Sequence, residues 1–254
     1  MKSPVFIVAT TYNRDLAEEY GQAYLASAAG KCGASGFEIR RELFNYDDIQ
    51  FDELIGVRDK YDLSFVYSAP FPLWTSDGNL NKSEFSRVLE EAKQVGAAYV
   101  KVPLGAYEPK INNIDQLKLC IEEAGYMHLS IQLTVENDPT AFGGNMQILR
   151  QFLDDCAQVG IPMKMTFDIG NWSWVGANVF EAVKTFMNDV VYVHCKQVDD
   201  SSNPTGTLTE DDKGSWKEVL SSFPKNLPRG GEFLIRGEDV ENSTKDYIKL
   251  LSLA

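Results

Sequence analysis

Apolar and polar positions alternate with period two through IPMKMTFDIGNW, residues 161–172: Met163, Met165 and Phe167 fall on one side, Lys164, Thr166 and Asp168 on the other. That spacing predicts a strand with one apolar and one polar face, broken by Gly170-Asn171. Three further stretches repeat the pattern. In HLSIQLTVEND, Ile131, Leu133 and Val135 oppose Gln132, Thr134 and Glu136; in VVYVHCKQ, Val191, Val193 and Cys195 oppose Tyr192, His194 and Lys196; in GGEFLIRGED, Phe233 and Ile235 oppose Glu232, Leu234 and Arg236. A parallel strand covered by helices on both faces should be a nearly unbroken apolar run. These strands instead carry a polar row that grows more ionisable toward the strand's end. The interior and C-terminal rim of a (β/α)8 barrel give such a row somewhere to point.

Taken in order, PVFIVAT predicts a first strand and DLAEEYGQAYLASAAGKC an amphipathic helix closed at Gly33. GFEIRREL is the second strand, with Phe37 and Ile39 opposing Glu38 and Arg40, and a helix follows over 46–60. DLSFVYSAPF is the third, and Asn81 with Glu84 forms a capping-box pattern before the next helix. AAYVKVPLG is the fourth, with Tyr99 and Lys101 opposing Val100 and Val102, and Asn113 with Gln116 opens the helix after it. The fifth strand ends at Glu136, before a helix over 144–159. The sixth ends at Asp168, before the helical NVFEAVKTFMND. The seventh ends near Lys196, Ser215 and Glu218 form another capping box, Gly230-Gly231 lead into the eighth, and a helix over 240–252 closes the chain. Eight strand-helix units at a spacing of roughly 30 residues, in 254 residues without a linker or composition shift, predict a single (β/α)8 barrel in one domain, 1–254. An open doubly wound sheet is the alternative, and no GxGxxG follows the first strand to support it.

Glu136, Asp168, His194 and Glu232 lie in or at the ends of four different late strands, so a barrel would gather them at one rim. Three hard carboxylates and an imidazole suit a divalent cation such as Mn²⁺, Co²⁺ or Mg²⁺, with positions left for substrate oxygens. The lack of thiolates argues against structural zinc and leaves a catalytic Zn²⁺ open. Each residue has a plainer reading when taken alone. A strand-end carboxylate can be an ion-pair partner, Asp168 can cap the following helix, and His194 can be a satisfied core residue, as His128 is read to be. Four such residues on four consecutive polar faces favour one shared site. Strand parity also puts Arg40, Lys101, Lys196 and Arg236 on the inward side, to bind substrate hydroxyls or a phosphate or, equally well, to neutralise the carboxylates. Glu38 is a candidate substrate contact on the same row. Trp172 and Trp174 follow the sixth strand, to stack on a sugar's C–H face or to pack over the barrel mouth.

A net charge of −13 repels polyanions, which argues against nucleic acid as a partner but not against a small anionic metabolite. Cys32, Cys120, Cys156 and Cys195 are scattered, as free thiols in a reducing compartment would be. The apolar run of residues 4–9 is too short for a signal-peptide core, and no stretch has membrane-spanning length. A cytoplasmic protein with a small-molecule partner is expected, and the sequence permits a homo-oligomer.

TVENDP, MTFDIGNW, VVYVHCK and the EF of GEFLI resemble the fifth to eighth strand signatures of the xylose isomerase-like TIM barrel superfamily, and GFEIRREL resembles that group's second strand. Its members include sugar phosphate isomerases and epimerases, ketose 3-epimerases, inosose dehydratases and endonuclease IV enzymes. The resemblance spans strands two to eight. It implies Glu136, Asp168, His194 and Glu232 as metal ligands, Glu136 and Glu232 as the acid/base pair, and isomerisation or epimerisation of a sugar or polyol through an enediolate. A dehydratase acting on an inosose or dehydroshikimate-type substrate is the runner-up, and a non-catalytic binding barrel is a third reading. Endonuclease chemistry would need several histidines, and the chain has two. Two departures concern the substrate: members often carry histidine where this chain has Asn171, and aspartate where it has Gln197. Glu238 and Asp239 are alternative strand-eight carboxylates.

Overall fold

Eight short runs form the strands β1 (Val5–Val8), β2 (Gly36–Arg40), β3 (Ser64–Ser68), β4 (Tyr99–Pro103), β5 (Gln132–Glu136), β6 (Lys164–Asp168), β7 (Val190–Cys195) and β8 (Arg229–Gly231), and all but β8 carry β-branched or aromatic residues. In the computed structural model they pair in parallel in sequence order, and β8 returns to β1, so the sheet closes into a barrel. The described residues are 3–253 without 13, 45–48, 50, 110, 197–207, 209–215 and 236–239. Nine helices lie among the described residues: α1 (Arg14–Lys31), α2 (Asp52–Tyr61), α3 (Lys82–Val95), α4 (Ile114–Glu123), α5 (Met146–Gln158), α6 (Ile169–Trp174), α7 (Val179–Phe186), α8 (Trp216–Ser221) and α9 (Val240–Leu253).

The two faces of each strand bury different chemistry. Outward residues such as Phe37, Phe65, Val100, Val135 and Phe167 join one continuous apolar layer with helix residues such as Val88 and Leu89 of α3 and Leu149 and Phe152 of α5. Removing that surface from water, at about 25 cal/mol per Å², is the main stabilising contribution. Inside the barrel the lower end is filled by Phe6, Val66, Tyr99 and Tyr192, with the Phe6 and Tyr192 rings 5.6 Å apart. Glycine at Gly36 makes room for this plug, because a Cβ there would overlap the Phe6 ring and the Ser64 carbonyl. Thr134 and Thr166 meet above it through their hydroxyls at 2.8 Å. The ionisable rows converge above the threonines.

Register sets the level at which they meet. Met165 pairs with Val190, so an unbroken ladder would place Asp168 opposite outward-facing Val193. An irregularity between Met165 and Thr166 advances β7 by one residue, and Asp168 pairs with His194 instead.

Several boundaries differ from those the sequence predicts. Strand β8 stops at Gly231, so Glu232 lies just past its end and the expected alternation through Phe233 and Ile235 is not a strand. Helix α1 is interrupted at Gly21, whose φ of 75° and ψ of 161° are not helical. Helix α2 begins at Asp52, later than expected. Asn113, Asn145 and Asn178 accept backbone N–H groups at the starts of α4, α5 and α7, whereas Asn81 makes no such bond at α3. The chain after Asp168 does leave the sheet at Gly170-Asn171, but as the short helix α6. Ser215 lies outside the described residues.

Candidate metal centre

Four strands deliver one side chain each to the upper rim: Glu136 from β5, Asp168 from β6, His194 from β7 and Glu232 just after β8. One ligand atom from each falls within 4.8 Å of all the others. His194 Nδ1 lies 2.9 Å from Glu136 Oε1, 3.2 Å from Glu232 Oε2 and 3.7 Å from Asp168 Oδ2.

Each group is held from behind. The Asn171 backbone N–H donates to Asp168 Oδ1 at 2.7 Å, so Asp168 caps α6 with one oxygen and turns the other, Oδ2, toward the cluster. Asn137, absent from the sequence-based candidates, fixes that strand end. Its amide donates to the Asp168 carbonyl at 2.9 Å and accepts from the Asp168 N–H at 2.8 Å. The signal was present in TVENDP, where a polar residue directly follows the strand-five glutamate. Asn171 donates its side-chain amide to the Asn137 carbonyl at 2.9 Å, which commits it to the loop framework.

The inward cations neutralise the carboxylates. Lys101 Nζ donates to Glu136 Oε2 at 2.7 Å and lies 3.1 Å from Glu38 Oε1. Lys196 Nζ donates to Glu232 Oε2 at 3.1 Å and is as close to Asp168 Oδ2. Arg40 donates to Glu42 at 2.8 Å and to Glu38 and Glu232 at 3.3 Å. Two expected substrate contacts are buried among these ion pairs. Glu38 is 0% exposed and sits beneath the cluster against His194 Nε2, at 2.6 Å, out of a substrate's reach. Lys101, 2% exposed, is likewise sealed. Of the two readings of Trp172, packing is the one it shows: at 0% exposure it stacks on Phe186 and packs against Phe167, while Trp174 is exposed. Arg40 and Lys196 remain at the mouth. Arg236, Gln197, Glu238 and Asp239 lie outside the described residues.

Burial alone would raise the pKa of Glu38, Glu136 and Glu232, but the neighbouring cations prevail. His194 and Lys101 hold Glu38 far below the usual carboxylate range. Lys101 and His194 lower Glu136, and Lys196 and His194 lower Glu232 strongly. Burial opposes charge on His194, yet Glu38, then Glu232 and Glu136, pull its pKa well above the ordinary imidazole value despite Lys101.

No family profile matches the sequence, and no curated protein matches it significantly. Solved structures do match in fold. A xylose isomerase domain-containing protein from Salmonella typhimurium aligns over all of this chain and 97% of its own, at 15% identity and a TM-score of 0.70. The D-allulose 3-epimerase from a Methylomonas species aligns over 98% of both chains, at 14% identity and a TM-score of 0.69. A protein from Brucella melitensis described as a family 2 AP endonuclease aligns over 96% of both, at 13% identity and a TM-score of 0.64. These likenesses show a shared (β/α)8 barrel fold. At these identities they concern architecture, so the chemistry has to be read from this chain's own site.

The residues present fit a divalent cation. His194 Nδ1 and Asp168 Oδ2 are sealed from solvent, and neither makes a well-directed hydrogen bond. Among the described residues, five carboxylates (Glu38, Glu42, Glu136, Asp168, Glu232) face three permanent cations (Arg40, Lys101, Lys196) around them. Carboxylate oxygens with one imidazole are a donor set for Mn²⁺, Mg²⁺ or Co²⁺.

Proposed function

We propose that the chain is a divalent-metal-dependent isomerase or epimerase of a sugar or sugar phosphate, with Glu136 and Glu232 as its proton-transfer pair. The observation that supports this reading is the convergence of Glu136, Asp168, His194 and Glu232, with one ligand atom of each within 4.8 Å of the others, at the C-terminal rim of the barrel. A cation held by these four would polarise adjacent carbonyl and hydroxyl oxygens of an open-chain sugar and acidify the proton on carbon between them.

The protein's own groups do the rest. Lys101 beside Glu136 and Lys196 beside Glu232 keep both carboxylates ionised and therefore able to accept a proton. One glutamate removes the carbon-bound proton; the other, having first taken up a proton from solvent, delivers it to the opposite face, for epimerisation, or to the neighbouring carbon, for isomerisation, and the first then releases its proton to solvent. Arg40 and Lys196, at the mouth, orient substrate hydroxyls or a phosphate. The D-allulose 3-epimerase neighbour supports a ketose or related sugar as the substrate class. Two histidines in the whole chain and a charge of −13 make the endonuclease chemistry named for the Brucella neighbour a poor fit.

Glu136→Gln and Glu232→Gln test the assignment. Each variant should stay folded and lose about 10²- to 10⁴-fold in turnover on a ketose panel assayed with Mn²⁺. Near wild-type turnover in either removes that residue from the pair. Running the panel in D₂O separates the dehydratase reading: deuterium incorporated at carbon without loss of water supports the epimerase, whereas a new conjugated absorbance supports the lyase.

A further inference from the structure

We propose that Glu38 is a positioning residue that decides which nitrogen of His194 faces the cation; the inference rests on the metal reading above. Glu38 reaches across the barrel from β2 to β7, and its Oε2 lies 2.6 Å from His194 Nε2. Lys101 Nζ and Arg40 Nη1 occupy the other side of Glu38, 3.1 and 3.3 Å from Oε1, which leaves Oε2 to accept from a protonated Nε2, the part a carboxylate plays behind a metal-bound imidazole. Nδ1 is then the nitrogen left for Glu136, Asp168 and Glu232 to surround. The ring is fixed from below as well, since Tyr192 meets it edge-on with centroids 5.0 Å apart. The other Glu38 oxygen, Oε1, lies 3.1 Å from Lys101 Nζ, which in turn donates to Glu136 at 2.7 Å. One buried carboxylate therefore orients two members of the cluster, His194 directly and Glu136 through Lys101. Its complete burial keeps it from touching substrate. Outer carboxylate partners of metal-bound histidines fix the tautomer and typically contribute 10- to 100-fold in metal affinity.

The wild-type protein supplies the first test, because the chain contains only two histidines. In protein labelled with ¹⁵N-histidine and loaded with Zn²⁺ as a diamagnetic probe, with His128→Gln for assignment, His194 should carry its proton on Nε2 and bind the ion through Nδ1. The opposite tautomer overturns the proposal. The second test is calorimetric titration of Zn²⁺ and Mn²⁺ into wild type and the near-isosteric Glu38→Gln. The variant should bind 10- to 100-fold more weakly and show a mixture of His194 tautomers, changes that a purely structural contact would not produce. Tight binding by wild type with unchanged affinity and tautomer in Glu38→Gln refutes the role of Glu38 and leaves the metal reading standing. Failure of wild type to bind either ion refutes both.

Discussion

A side chain at position 230 would have to share space with the two rings that build the site. A Cβ on Gly230 would overlap the Tyr192 hydroxyl and come within 3.0 Å of His194 Cδ2, its neighbour across β7 and β8. Gly230→Ala should therefore destabilise the fold by about 1–3 kcal/mol and tilt His194 off its line to Glu38. Denaturant unfolding and Mn²⁺ titration should both register the change, and an unaltered midpoint would mean that the strand can retreat. In the sequence, Gly230-Gly231 says only that a turn or strand entry is near, since a glycine has no side to contribute to a period-two pattern. That is why the expected eighth strand runs too far. Asp168 and His194 were legible for the converse reason, since apolar neighbours on both sides fix their parity, and Glu136 through Leu133 and Val135 before it. Parity could not choose between the two readings of Trp172, because it stops at Asp168. Once the chain turns into α6, the indole swings back under the helix layer against Phe186.

At the scale of elements, the helix starts show how far local pattern carries. Asn145 accepts from the Gln147 and Ile148 N–H groups at 2.9 and 3.2 Å, a cap that bounds α5 behind the strand bearing Glu136. Asn81 is the same residue type at the same position before its helix, but its N–H donates to the Leu73 carbonyl and its amide to the Pro72 carbonyl, both from the preceding loop. Asn145→Ala should cost about 1 kcal/mol through the lost cap, whereas Asn81→Ala, with only a long 3.3 Å side-chain bond to lose, should cost clearly less. Equal losses in urea melts would show that both asparagines act through the loop and not through the helix end. A capping box describes neighbours in sequence, and the rival partners of Asn81 come from tertiary contact. The same limit explains why the eight strands were legible as elements while the one-residue slip between β6 and β7 was not. Alternation within each strand says which residues share a face but not where along the pair an irregularity falls, and the slip between Met165 and Thr166 is what sets Asp168 beside His194.

At the scale of the molecule, closure of the sheet turns scattered polar rows into one negatively charged mouth on a chain that already carries −13. Two effects of added ions follow, and they can be separated. Salt screens the self-repulsion of the folded chain, so Tm should rise modestly with NaCl as the screening length falls to about 10 Å at 0.1 M. A divalent ion bound between Glu136, Asp168, His194 and Glu232 stabilises only the folded state, by about 2.7 kcal/mol at a concentration 100-fold above its dissociation constant. MnCl₂ should therefore raise Tm beyond NaCl of equal ionic strength, and EDTA should return it to the NaCl value. Asp168→Asn keeps the Oδ1 cap on α6 while removing a charged ligand, so it should retain the NaCl shift and lose most of the Mn²⁺ excess. Identical shifts in wild type and Asp168→Asn would mean that manganese acts only as a counterion to an acidic surface, and the barrel mouth would have to be read without a metal.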